Sequence, residues 1–133
     1  MDVAHLDGVP LFAGLSKKQR QRVAQHADEV AVAAGKELVH ADGLAWEFFV
    51  IRSGEVAVRQ GAETIRTLGP GDFFGEIGVM EGPGARRTAS VVTTSATTAV
   101  VMSSHDLRMI ADEIPQVAAG LRSAIAERTA EHS

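Results

Sequence analysis

Four residue types in the stretch from Phe73 to Val92, reading FFGEIGVMEGPGARRTASVV, have the chemistry to work together on one ligand. Gly75 and Gly78 let the backbone pass close to a bound group with its N–H donors uncovered. A helix beginning after Gly75 would aim its free N–H groups and positive dipole end at an anion. Arg87 supplies the formal charge, because a guanidinium offers forked donors matched to phosphate oxygens, and Thr88 adds a hydroxyl donor beside it. Glu76 has a different task. A carboxylate beside a phosphate is repulsive unless it accepts hydrogen bonds, either from a ribose hydroxyl or from the Arg87 fork. Arginine for phosphate and carboxylate for sugar together describe a nucleotide pocket. Taken singly, a Gly-Glu pair or a lone arginine is ordinary surface, and it is their spacing that makes a constellation. Arg86 reads instead as a solvent-exposed or turn-stabilising residue.

Such a cradle needs strands at both ends, and the chain provides them. From Glu29 onward the apolar period shifts toward two: Val30 and Val32, then Leu38 and Val39, predict two short strands around a tight turn at Gly35. Asp42-Gly43 signals another turn, and Trp46 to Ile51 is an apolar run suited to a buried strand. After Ser53-Gly54, Val56 and Val58 alternate with Glu55, Ala57 and Arg59 as in a half-buried strand, and Ile65 to Leu68 follows before Gly69-Pro70-Gly71-Asp72. Beyond the cradle, Thr88 to Thr94 and Thr97 to Met102 complete the set. Short strands with glycine turns at near-regular spacing predict a sandwich or barrel rather than βαβ units.

Helices flank this β region. Ser16 with Gln19 forms a capping box for a helix from Lys17 to about Ala27, with Val23 and Ala27 facing inward and Lys17, Lys18, Arg20 and Arg22 forming a solvated face. Ser103 or Ser104 caps a helix through Leu107, Ile110 and Ala111. Ile114-Pro115 interrupts it, and Pro115 suits the first turn of a last helix from Gln116 to about Arg128, with Val117, Leu121, Ala124 and Ile125 in one stripe.

The run from Phe73 resembles the phosphate-binding cassette of the cyclic nucleotide-binding domain family. That pattern is Phe-Gly-Glu, an aliphatic residue, a small residue, a variable turn, then Arg, a small or hydroxyl residue, and Ala. The matching residues are Phe74, Gly75, Glu76, Ile77, Gly78, Arg87, Thr88 and Ala89, with Ser90 and Val91 continuing the strand. The family often has proline directly before the arginine, where this chain has Arg86 and carries Pro83 earlier in the turn.

The resemblance implies a mainly β fold: an antiparallel β-roll, jelly-roll-like, with an N-terminal helix, a short cassette helix and two C-terminal helices. It implies one domain over residues 1–133, with a helical lead-in at 1–28, the roll at 29–102 holding the cassette at 73–91, and hinge and lid helices at 103–130. Glu76 and the Gly75 backbone would hold the ribose 2′-hydroxyl, and Arg87 and Thr88 the cyclic phosphate. The implied ligand is cAMP ahead of cGMP, although in the family a hydroxyl residue after the arginine can bond the guanine amino group. The last helix would close over the base, with Leu121, Arg122 and Ile125 as lid residues. Its apolar stripe equally suits packing on the core or on a second copy of the chain.

Composition sets the outer bounds. With 133 residues, 45% hydrophobic and 23% charged, there is material for one globular domain with a core. A net charge of −4 argues against nucleic-acid or anionic-membrane binding, so an anion site must be local. No cysteine excludes disulfides and thiolate chemistry and fits a reducing cytoplasm, and no apolar run is long enough to span a bilayer. The five histidines, His5, His26, His40, His105 and His132, are scattered without metal-ligand spacing, and no catalytic triad, Walker loop or Rossmann fingerprint occurs. The expectation is therefore a non-enzymatic sensor with no catalytic residue, metal or prosthetic group. It would regulate an effector domain or protein, either as a stand-alone sensor or as the regulatory part of something longer, and it allows for a homodimer. The competing class is an interaction or dimerisation module that keeps the fold without a nucleotide.

Overall fold

The computed structural model describes residues 1–6, 9–39, 47–75 and 89–131, with the side chains of Val39, Ala124, Ile125 and residues 127–131 left aside. Two 3-10 turns, Val3–Leu6 and Pro10–Phe12, precede helix α1 (Lys17–Gln25). The strands are β1 (Asp28–Val32), β2 (Glu37–Val39), β3 (Glu47–Ser53), β4 (Val56–Gln60), β5 (Glu63–Leu68), β6 (Phe73–Phe74), β7 (Ser90–Thr93) and β8 (Thr97–Ser103). Helices α2 (Ser104–Glu113) and α3 (Pro115–Glu131) follow.

Among the described residues these strands form two four-stranded antiparallel sheets, ordered β1-β8-β3-β6 and β2-β7-β4-β5. Only β4 and β5 are sequential neighbours within one sheet; every other sequential link carries the chain from one sheet to the other. That is the rolled, mainly β architecture with flanking helices that the family resemblance implied, and it agrees with the all-β layering expected from the strand spacing.

The crossings are pinned by polar side chains. Thr93, 1% exposed, donates from Oγ1 to the Ala33 carbonyl at 2.7 Å and accepts from the Lys36 N–H at 2.9 Å, which fixes the β1–β2 turn on β7. Strands β1 and β2 thus sit either side of a tight turn at Gly35 yet pair with β8 and β7 rather than with each other. At the β3–β4 crossing, Gly54 has φ +90°, and a Cβ there would stand 2.4 Å from the Ala96 carbonyl oxygen and 2.7 Å from the Thr97 Cα. Only glycine fits that approach of the β3–β4 turn to the β7–β8 turn.

Strand β3 is apolar on both faces, and the fold uses both. Phe48 and Val50 join Val100 and Met102 of β8 under the helices, in a cluster with Leu6, Phe12, Val23, Leu107, Ile110, Val117 and Leu121. Phe49 and Ile51 point the other way, into the space between the sheets, with Ala99, Phe74, Val56, Leu68 and Val91. Each such side chain removed from water contributes about 1.5–3 kcal/mol.

Several local signals reappear in the structure. Ser16 accepts from the Gln19 N–H at 3.1 Å while Gln19 Oε1 accepts from the Ser16 N–H at 2.9 Å, completing the capping box. Ser103, rather than Ser104, is the N-cap of α2. Strand β4 departs from clean alternation, because Ala57 is 4% exposed whereas Val58 is half-buried. Ala57 lies between Thr67 of β5 and Val92 of β7, and a single methyl between two larger neighbours presents little surface. On α1, Lys17 and Lys18 are exposed as expected. Arg22 is instead drawn across to Glu113 at the end of α2.

Candidate functional site

The candidate site lies where the chain leaves the first sheet at Gly75 and enters the second at Ser90. Its entrance is held by backbone pairing. Asp72 accepts from the Gly69 N–H at 2.9 Å through Oδ2, the Ile51 N–H donates to the Asp72 carbonyl at 2.9 Å, and the Gly71 N–H donates to the Ile51 carbonyl at 2.8 Å. This turn delivers Phe73 and Phe74 onto β3 opposite Val50 and Phe49. The two phenylalanines then anchor on opposite faces. Phe73 tilts against Phe48 with ring centroids 5.5 Å apart, and Phe74 stacks on Phe49 at 4.9 Å with 13° between the planes. Such pairs contribute beyond the area they bury.

Gly75 follows with φ +97°, a conformation that L side chains rarely adopt. The exit is equally fixed. Ala89 is half-buried, and Ser90 to Thr93 run between β4 and β2, with Ser90 opposite Arg59 and Val91 opposite Val58. Of the residues expected to bear ligand, Phe74, Gly75 and Ala89 therefore stand at the two anchored ends of the segment. Glu76, Ile77, Gly78, Arg87 and Thr88 lie outside the described residues, as do Arg86 and the short cassette helix.

Between the sheets, the buried cluster around Phe49, Ile51 and Phe74 is bordered by four partly buried aliphatics. Val30 and Val101 come from the first sheet, and Leu38 and Val58 from the second. Apolar residues that remain partly open between two sheets can pack against a flat, weakly polar group. They were not singled out from the sequence. The signal for them is the period-two alternation of Val30 and Val58, which assigns a face but not how far that face is covered.

The lid candidates are placed apart from this cluster. Leu121 is fully buried in the first cluster, under the helices with Phe12 and Val117, whereas Phe74 belongs to the second. Arg122 is exposed, and the Ile125 side chain lies outside the described residues. Gly120 on α3 sits against Leu11 of the second 3-10 turn, where a Cβ would come within 2.9 Å of Leu11 Cδ1. Among the described residues no group of three histidines or carboxylates stands together to hold a metal ion, and no helix is long and apolar enough to cross a membrane.

Comparison with known proteins supplies the rest. Residues 29–113 match the model of a family described as "Cyclic nucleotide-binding domain". A cAMP-dependent protein kinase regulatory subunit of Hypocrea atroviridis is 31% identical over 90 residues, 68% of this chain and 19% of that protein. The cyclic AMP receptor protein of Thermus thermophilus is 27% identical over 131 residues, 95% of this chain and 60% of that protein. The solved structure of the Thermus thermophilus catabolite activator protein superposes with a TM-score of 0.79 at 26% identity, covering 92% of this chain and 59% of that one. The chain thus spans less than two thirds of the length of either curated relative.

Proposed function

The chain belongs to the cyclic nucleotide-binding domain family, and from that premise we propose that it is a regulatory sensor that binds cAMP ahead of cGMP and passes binding on to its C-terminal helices. The observation that carries this reading is the position of the motif. Phe74-Gly75 leaves the first sheet and Ala89-Ser90 enters the second, both flanking strands are anchored by pairing, and the sequence between them, within the stretch that matches the family, carries Glu76, Arg87 and Thr88.

In this reading Arg87 and Thr88 take the cyclic phosphate, Glu76 and the Gly75 backbone take the ribose 2′-hydroxyl, and Ile77, Gly78 and Ala89 shape the cradle. The base lies against the half-open aliphatics Val30, Leu38, Val58 and Val101. Residues 1–133 act as one unit, and the chain performs no chemistry on its ligand. The name of the Hypocrea atroviridis relative, a protein kinase regulatory subunit, supports an effector, in the same protein or another, as the recipient of the signal. Movement of α3 is the route of coupling. In the present arrangement Val117 and Leu121 are packed under the first sheet, so any lid contact requires part of α3 to shift.

Isothermal titration calorimetry on protein freed of co-purified ligand, against cAMP, cGMP and 5′-AMP, tests the reading. Micromolar or tighter binding of a cyclic nucleotide, with 5′-AMP much weaker, is expected. Silence with all three on folded protein would leave the interaction-module reading. The ribose assignment has its own check in 2′-deoxy-cAMP. It should bind the wild type less tightly than cAMP, and Glu76→Gln should largely erase that difference. A difference that persists at full size in the variant would remove Glu76 from the ribose.

A further inference from the structure

Helix α2 ends at a joint. Ile114 is extended, with φ −123° and ψ 92°, and Pro115 opens α3. A proline cannot continue the preceding helix without losing a backbone hydrogen bond, so the direction of α3 is set here. Two backbone hydrogen bonds report the joint's closure: the Ile114 N–H donates to the Ile110 carbonyl at 2.8 Å, and the Val117 N–H donates to the Ile114 carbonyl at 3.0 Å.

Glu113, the last residue of α2, is gripped from α1. Arg22 donates through Nε to Oε2 and through Nη2 to Oε1, both at 2.9 Å, across 91 residues of sequence. This is the two-pronged geometry in which a guanidinium fixes both position and orientation of a carboxylate. At the other end of α2, His26 Nδ1 lies 3.5 Å from Asp106 Oδ1. Both partners of the fork keep about two fifths of their side-chain surface exposed, 39% and 40%. Solvent therefore competes for the pair, and it adds little to the overall stability of the fold. Its effect is local and directional, because it bears on the residue immediately before the joint.

We infer that the Arg22–Glu113 fork is a latch that holds the α2–α3 joint closed against α1, so that losing it loosens the backbone of that joint. The hydrogen bond from Arg22 also holds the Glu113 carboxyl below the usual carboxylate range, as a partner bound to the charged form should. The buried Ile110 and Ile114 supply the bulk of the attachment to the core, and the fork sets a bias on top of it. This inference does not rest on the nucleotide reading.

Residue-resolved hydrogen exchange on the ligand-free chain tests it. Glu113→Gln and Arg22→Gln should each speed exchange at the Ile114 and Val117 amides by about two- to fivefold, the range set by exposed ion pairs. The Val100 amide in β8 should not change. Raising salt from about 0.02 M to about 0.5 M should accelerate the same two amides in the wild type but not in the variants, because screening removes only a charge interaction that is present. The reversed pair, Arg22→Glu with Glu113→Arg, should restore slow exchange. Unchanged rates at Ile114 and Val117 in both single variants would overturn the latch. So would equal acceleration at Val100, which would make the fork a general stabiliser, or failure of the reversed pair to restore protection.

Discussion

Arg87→Ala should weaken cyclic-nucleotide binding by about 2–5 kcal/mol, roughly 30- to 5,000-fold in dissociation constant, while the chain stays folded. The size follows from what the substitution leaves behind. A cyclic phosphate drawn into a cradle of glycine N–H groups gives up its hydration, and without the guanidinium the cradle offers it only neutral donors. Arg86→Ala provides the contrast, because Arg86 reads as a turn or surface residue, and its loss should change affinity by less than about threefold. Calorimetry on the two variants side by side measures both. Unchanged affinity in Arg87→Ala, or a larger loss in Arg86→Ala, would move the phosphate away from Arg87.

The second large effect concerns the strand that delivers the cassette. Phe74→Ala removes a ring that is 4% exposed and stacked on Phe49, and should cost about 3–5 kcal/mol of folding stability. Against a typical total of about 5–15 kcal/mol, that is a substantial share. Phe74→Leu keeps most of the apolar volume and should cost less. Urea unfolding reads the result as a lowered midpoint at unchanged slope. Because Phe74 directly precedes Gly75, the alanine variant should also bind nucleotide more weakly even where it remains folded. A midpoint within experimental error of the wild type would mean that Phe74 does not anchor the entrance to the cassette.

Local chemistry was the legible part of this sequence. The capping box at Ser16 and Gln19, the cap before α2, the proline opening α3 and the turns at Gly35, Gly54 and Gly71 each depend on residues a few positions apart, and each appears where expected, while the turn expected at Gly43 lies outside the described residues. The double-sided burial of β3 was legible too, since Phe48 to Ile51 has no polar residue to face water. Pairing was not. Val30 and Leu38 read as neighbours around a turn, yet their strands join different sheets because Thr93, some sixty residues on, claims the turn between them. Arg22 read as solvated because nothing near it in sequence identifies Glu113 as its partner. The aliphatics that remain half-open between the sheets depend on how far two sheets cover each other, a quantity without a local signature.

For the candidate site, spacing pointed to the chemistry and the fold supplied the two fixed ends. The carboxylate and arginine that would face the ligand belong to the link between those ends. The most direct measurement is a crystal structure of the chain with cAMP. The account predicts the cyclic phosphate on the Arg87 guanidinium at about 2.7–2.9 Å, with the ribose 2′-hydroxyl donating to the Glu76 carboxylate. A nucleotide bound elsewhere on the molecule, or one in the cradle with its phosphate turned away from Arg87, would contradict it.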